Sequence, residues 1–143
     1  MANLNLFGSI LSFAFIWLIA LLYPPLHKIL RNKKTYFGLL FFSILLTFSS
    51  IFFYEDDIFH NKTHTLQLSS CLLFFLILYK ICDNVILKKY DRHMYFSIKY
   101  NSIWNDDESD HTQMLDGLFQ FLLSIVPLIL SWGFGSLLLK IIL

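Results

Sequence analysis

Residues 117–139 read GLFQFLLSIVPLILSWGFGSLLL, a run without a single charge, with Gln120, Ser124 and Ser131 among its polar members. As an α-helix this run is about 35 Å long, enough to cross the roughly 30 Å hydrocarbon core of a bilayer. Three further apolar runs of similar kind precede it, at about 6–23, 36–54 and 66–87. The composition agrees: 57% of the 143 residues are hydrophobic and 15% are charged. Average soluble domains hold about 45–50% apolar and about 25% charged residues, so the apolar excess replaces charge. With 16 Phe against 3 Pro and 5 Gly, the chain is neither disordered nor collagenous.

The sequence therefore predicts an all-α, polytopic membrane protein, a single domain over 1–143. It is a bundle of four transmembrane helices, with one cytoplasmic segment, about 88–116, between the third and fourth. The first run reads as a retained helix rather than a signal peptide. Residues 1–5 carry no Lys or Arg, and no small-residue cleavage site precedes Pro24-Pro25, which ends the run.

Basic residues set the expected orientation. Lys28, Arg31, Lys33 and Lys34 follow the first run, and Lys88, Lys89, Arg92 and Lys99 follow the third. The opposite side holds Lys62 and Lys140. The positive-inside rule then places both basic connections in the cytoplasm and both termini outside, in a cell inner membrane. The first basic connection interleaves Leu26, Ile29 and Leu30 with its cations, a pattern suited to an anionic headgroup surface. Cys71 and Cys82 would lie about 16 Å apart along one helix, too far for a disulfide, and read as small apolar residues. Scarce Ala and Arg beside abundant Phe, Ile, Lys, Asn and Tyr is the usage of an AT-rich gene, common in bacterial accessory loci.

Three places carry candidate chemistry. In the outer connection, His60 and His64 are spaced i, i+4 with Asp56 and Asp57 upstream, a donor set that a divalent transition ion would accept. The same residues also read as a solvated turn, since there are only two histidines and no HExxH. Near the cytoplasmic end of the third run, Lys80 and Asp83 stand i, i+3. They read as a mutual ion pair helped by Asn84, or as a proton relay with Asp83 as the titrating group.

The third place is the segment 88–116. Met94, Phe96, Ile98 and Tyr100 alternate as in a half-buried strand, yet Phe96, Tyr100, Ile103 and Trp104 also share a helical face, and the periodicity leaves both open. Its aromatics Tyr95, Phe96, Tyr100 and Trp104, followed by Asp106, Asp107, Glu108 and Asp110, form an interfacial or partner-docking surface. The acidic run lacks the glycine and spacing of a calcium loop. Thr112 or Asp116 is placed to cap the fourth helix.

Small residues four apart, Gly8 with Ser12, Ser43 with Thr47 and Ser131 with Gly135, permit close helix approach within the bundle or between copies. Pro127 is expected to kink the last helix, with Gly133 and Gly135 weakening it. No nucleophile constellation, P-loop or dinucleotide fingerprint is present. The net charge of +1 suggests no nucleic-acid partner. The expectation is a non-enzymatic, cofactor-free membrane component of an immunity or phage-defence type system, self-associating and docking a cytoplasmic protein. A small oligomeric channel or transporter is the alternative, and a metal-dependent protein using the outer loop is a further one.

Overall fold

The structure, a computed structural model, describes residues 2–18, 24–52, 62–96 and 113–142. Among them are four α-helices, α1 (Ala2–Trp17), α2 (Lys33–Phe52), α3 (Lys62–Tyr90) and α4 (Met114–Ile142), and a 3-10 helix, Pro24–Arg31. No strand occurs among the described residues. Three helices are long and apolar enough to cross a membrane, over Lys33–Phe52, Leu66–Tyr90 and Met114–Leu138. The apolar part of α1, Phe7–Trp17, is shorter, and residues 19–23 of the expected first span lie outside the described residues.

The helix ends are set by local chemistry. Asn32 caps α2: its side-chain oxygen accepts from the Lys34 N–H at 3.0 Å and its carbonyl from Tyr36 N–H at 2.9 Å. That cap carries the helix back to Lys33, ahead of the apolar run. α3 stops at Tyr90 because Asp91 takes the left-handed conformation, φ 54°, while its N–H donates to Leu87 O at 3.0 Å. Aspartate tolerates this geometry better than most residues, and the arrangement closes the last turn. α4 opens at Met114, with Asp116 reaching back to accept from Gln113 N–H at 2.8 Å, half of a capping box.

α3 is the central helix and packs against α1, α2 and α4. Its inward side chains Leu72, Phe75, Leu76 and Tyr79 are almost fully buried, joined from α4 by Leu123. The opposite surface of α2 is bare, with Phe37, Phe41, Phe48 and Phe52 all exposed, as expected of a face meant for lipid.

All three small-residue pairs turn inward. Ser12, Ser43, Thr47 and Ser131 are buried, and a side chain added at Gly8 would meet Leu46 at 3.0 Å. The contact at Gly135 is tighter, with Gln67 Cγ 2.7 Å from where a Cβ would sit. These faces therefore serve the chain's own packing. Gly135 is a point of close helix approach, and α4 is helical throughout, across Pro127 and Gly133.

The buried hydroxyls are satisfied mostly within their own helices: Ser12 donates to Gly8 O, Ser50 to Leu46 O, Ser69 to Leu66 O and Ser131 to Leu128 O. Such back-bonding meets each hydroxyl's needs without water. Cys71 and Cys82 are free and buried among these apolar groups.

Candidate functional site

The most heavily bonded polar cluster sits where the two basic connections meet. The 3-10 helix supplies His27 and Arg31, the end of α3 supplies Asp83, residues 91–96 supply Arg92 and His93, and α4 supplies Asp116. At its centre is the backbone of Met94 and Tyr95.

Two buried carboxylates hold that backbone. Asp83, 3% exposed, accepts from Met94 N–H at 2.8 Å and from His93 Nδ1 at 2.9 Å. A carboxylate only accepts, so Nδ1 of His93 carries the proton. Asp116, fully buried, takes four bonds: Arg92 Nη2 at 2.7 Å, Arg92 Nη1 at 3.3 Å, Tyr95 N–H at 3.2 Å and Gln113 N–H at 2.8 Å. The hydrogen bonds to Asp116 hold Arg92 above its ordinary pKa, against the opposing effect of burial, so the guanidinium stays charged. Its plane stacks on the Tyr95 ring at 3.9 Å and also faces Tyr90 at 5.2 Å.

The other side of the backbone belongs to the 3-10 helix. Arg31 Nη2 donates to Met94 O at 3.1 Å. His27 Nε2 lies 3.2 Å from both that carbonyl and Arg31 Nη2. As an N–H it donates to Met94; as a lone pair it accepts from Arg31, so its tautomer selects one contact. The His27 ring is 1% exposed and stacks on Phe96 with centroids 4.5 Å apart. Phe96 in turn meets the edge of Tyr79 at 6.3 Å. The proline pair favours this placement, since Pro24-Pro25 starts the short helix whose next turn points His27 inward.

Several expectations change against this geometry. Lys80 and Asp83 do not pair: Asp83 spends its oxygens on His93 and Met94, and Lys80 is exposed with Nζ 5.7 Å from the Tyr36 ring centroid. Phe96 is an internal residue, 2% exposed, and so is not part of a docking surface. Tyr95 is half-buried between the Arg92 and Arg31 guanidiniums. Residues 93–96 are neither strand nor helix, because their backbone groups bond to side chains. Tyr100, Trp104, Asp106, Asp107, Glu108 and Asp110 lie outside the described residues, as do Asp56, Asp57, His60 and the side chain of His64. Among the described residues no group of three His, Cys, Asp or Glu is arranged to hold a metal ion.

His27 and His93 were not singled out by sequence reasoning, and Arg31 and Arg92 entered it only as charges of the basic connections. The available signal was an acid, Asp116, in the first turn of an otherwise uncharged run, together with an Arg-His dipeptide just past a helix end. A separate apolar cavity of about 460 Å³ lies between α1, α3 and α4, lined by Phe13, Leu68, Cys71, Leu128 and Trp132, with Gln67 and Ser131 as its polar members. It is remote from the cluster, since Cys71 and Asp83 are about 18 Å apart along α3.

Chemically, the cluster is a clasp. It fixes backbone, and His93 is its one partly exposed imidazole. Asp83→Asn keeps an acceptor for Met94 N–H and loses the charge-assisted bond to His93. We expect it to cost about 1 kcal/mol of unfolding free energy, read by denaturant titration in detergent.

Compared with protein-family models, with curated proteins and with solved structures, the chain has no match at any of the three levels. Fold and cluster define a class: an all-helical bundle with three helices apolar enough to cross a membrane, clasped at its basic end by buried carboxylates.

Proposed function

We propose that the chain is a non-enzymatic bacterial integral membrane protein that presents a cytoplasmic loop to a partner protein. In this reading α1 is the fourth span, both termini are outside, and the basic end faces the cytoplasm of the inner membrane. Residue usage typical of an AT-rich gene is what suggests an accessory system of immunity or phage-defence type.

The observation that carries the proposal is the double attachment at Asp116. One carboxylate accepts from Tyr95 N–H and from Gln113 N–H, so it ties together both ends of the segment 96–112. That segment contains Tyr100, Trp104 and the acidic run. Fixing both ends of a loop to a rigid scaffold lowers the entropy lost when a partner binds it. The interior of the bundle also argues against a pathway through a single chain. Leu72, Phe75, Leu76, Tyr79 and Leu123 form a buried layer about 10 Å deep along α3, between the clasp and the serines of the other half. The small-residue faces are used within the chain, so self-association, where it occurs, would use outward surfaces.

Photo-crosslinking in intact cells tests this reading. A photoreactive residue at position 104 is expected to yield one discrete protein adduct, lost when Asp106, Asp107, Glu108 and Asp110 are reversed to lysine. The same probe at Phe41, on the exposed face of α2, should yield no such adduct. Equal labelling from both positions contradicts the proposal.

A further inference from the structure

We propose that the basic end of the bundle binds anionic phospholipid headgroups through lysines held at the level of Tyr36 and Tyr90. Lys33, Lys34, Lys80, Lys88 and Lys89 are all exposed, and none forms an ion pair with a carboxylate among the described residues. The nearby buried acids are already committed, Asp83 to His93 and Met94, and Asp116 to Arg92 and two backbone groups. Asp91, exposed, is the one other acid at this end among the described residues, and it pairs with none of these lysines.

Lys88 and Lys89 suit the last turn of α3, where the helix dipole favours cations, but the positions of Lys33, Lys34 and Lys80 are ones that helix stability does not explain. Lys33 and Lys34 open α2, where the helix dipole disfavours cations. Lys80 interrupts the apolar run of α3. Its ammonium lies 5.7 Å from the ring centroid of Tyr36, in the first turns of α2, and Lys89 lies 5.3 Å from that of Tyr90. Half-buried Tyr90 fits a ring at headgroup depth, whereas Tyr36 is buried with its hydroxyl donating to Leu76 O at 3.0 Å; long lysine stems let the ammonium groups reach the phosphate layer. A phosphodiester at that depth supplies the counter-charge that five lysines lack. The first basic connection alone, visible in the sequence, does not include Lys80, Lys88 or Lys89. Only the fold brings these to one end with Lys33 and Lys34.

The inference rests on the membrane reading, and an alkaline carbonate wash of cell membranes tests that reading separately. Release of the full-length protein by the wash would overturn both. For retained protein, purified and delipidated in neutral detergent, native mass spectrometry follows binding of phosphatidylglycerol and phosphatidylcholine of identical acyl chains. Phosphatidylglycerol is expected to bind at least tenfold more tightly. Each surface lysine contributes about fivefold, so Lys33→Gln, Lys34→Gln and Lys80→Gln together should abolish the preference, and Lys80→Gln alone should reduce it about fivefold. Lys140→Gln, at the opposite end, should leave it intact. Millimolar inorganic phosphate should not displace the lipid. Equal binding of the two lipids, a preference unchanged in both lysine variants, or displacement by phosphate overturns the proposal.

Discussion

Asp116→Ala is expected to destabilise the bundle by about 3–5 kcal/mol, read as a shift of the unfolding midpoint in detergent. The size follows from what one carboxylate holds. Its removal leaves Arg92, whose side chain is only 20% exposed, without its ion-pair partner, and breaking such a pair costs about 3–5 kcal/mol. It also frees the N–H groups of Tyr95 and Gln113, and the second of these is the reciprocal half of the α4 cap. Asp116→Asn should cost less, because an amide oxygen still accepts one of these donors. Arg92→Gln should cost less in the Asp116→Asn background than in the native protein, since the two residues share one interaction. The alanine variant should also lose protection of the Tyr95 and Gln113 amides against hydrogen exchange, as both lose their acceptor. A stability change under 0.5 kcal/mol would mean that the carboxylate is not the clasp described here.

Gly135→Leu is expected to cost about 3 kcal/mol and to separate α4 from α3. The missing side chain is what allows contact: a Cβ would fall 2.7 Å from Gln67 Cγ and 3.6–3.7 Å from the Gln67 backbone N and Cα. Those last two atoms cannot rotate away, so a leucine has to push the helices apart, and overpacking of this kind costs about 1–3 kcal/mol or more. The displaced contacts include the edge-to-face pair of Phe74 and Phe134, with centroids 5.6 Å apart. Gly133 is the internal control. A Cβ there meets nothing within 4 Å, so Gly133→Ala should be neutral or gain up to about 1 kcal/mol from helix propensity. If the two glycine variants behave alike, the asymmetry between these positions is wrong.

Much of the fold is legible in the residues because a bilayer demands long uncharged runs, and such runs are hard to miss. α2, α3 and α4 each extend past the apolar stretch read from the sequence. The extra turns are set by capping at Asn32, Asp91 and Asp116, which hydropathy does not register. The charge of the two basic connections placed them on one side, and the contact of Arg31 and His27 with Met94, which joins them, is a finding of the structure.

The site was far less legible. Asp83 stood out as an ionisable group in an apolar run, but its nearest cation in sequence, Lys80, was the wrong partner. Its partners come from residues 93 and 94, after the turn at Asp91 reverses the chain. Spacing along a helix reports neighbours on that helix only, and a carboxylate aimed at backbone N–H groups leaves no side-chain pattern to find. Phe96 misled for a related reason: an aromatic in a polar connection looks exposed until His27 arrives from a segment 67 residues from Met94. The outer histidines and the acidic run fall outside the described residues, so their chemistry rests on the sequence alone.

The central claim is that this bundle holds a loop for a second protein. Native mass spectrometry of the complex, extracted from its own cells in a mild detergent, tests it most directly. The predicted result is a particle containing this 16.9 kDa chain together with a soluble protein in fixed ratio. The charge-reversed acidic run should release that protein while leaving the bundle folded. Particles composed of this chain and lipid alone, from cells where it is expressed at native level, would contradict the account.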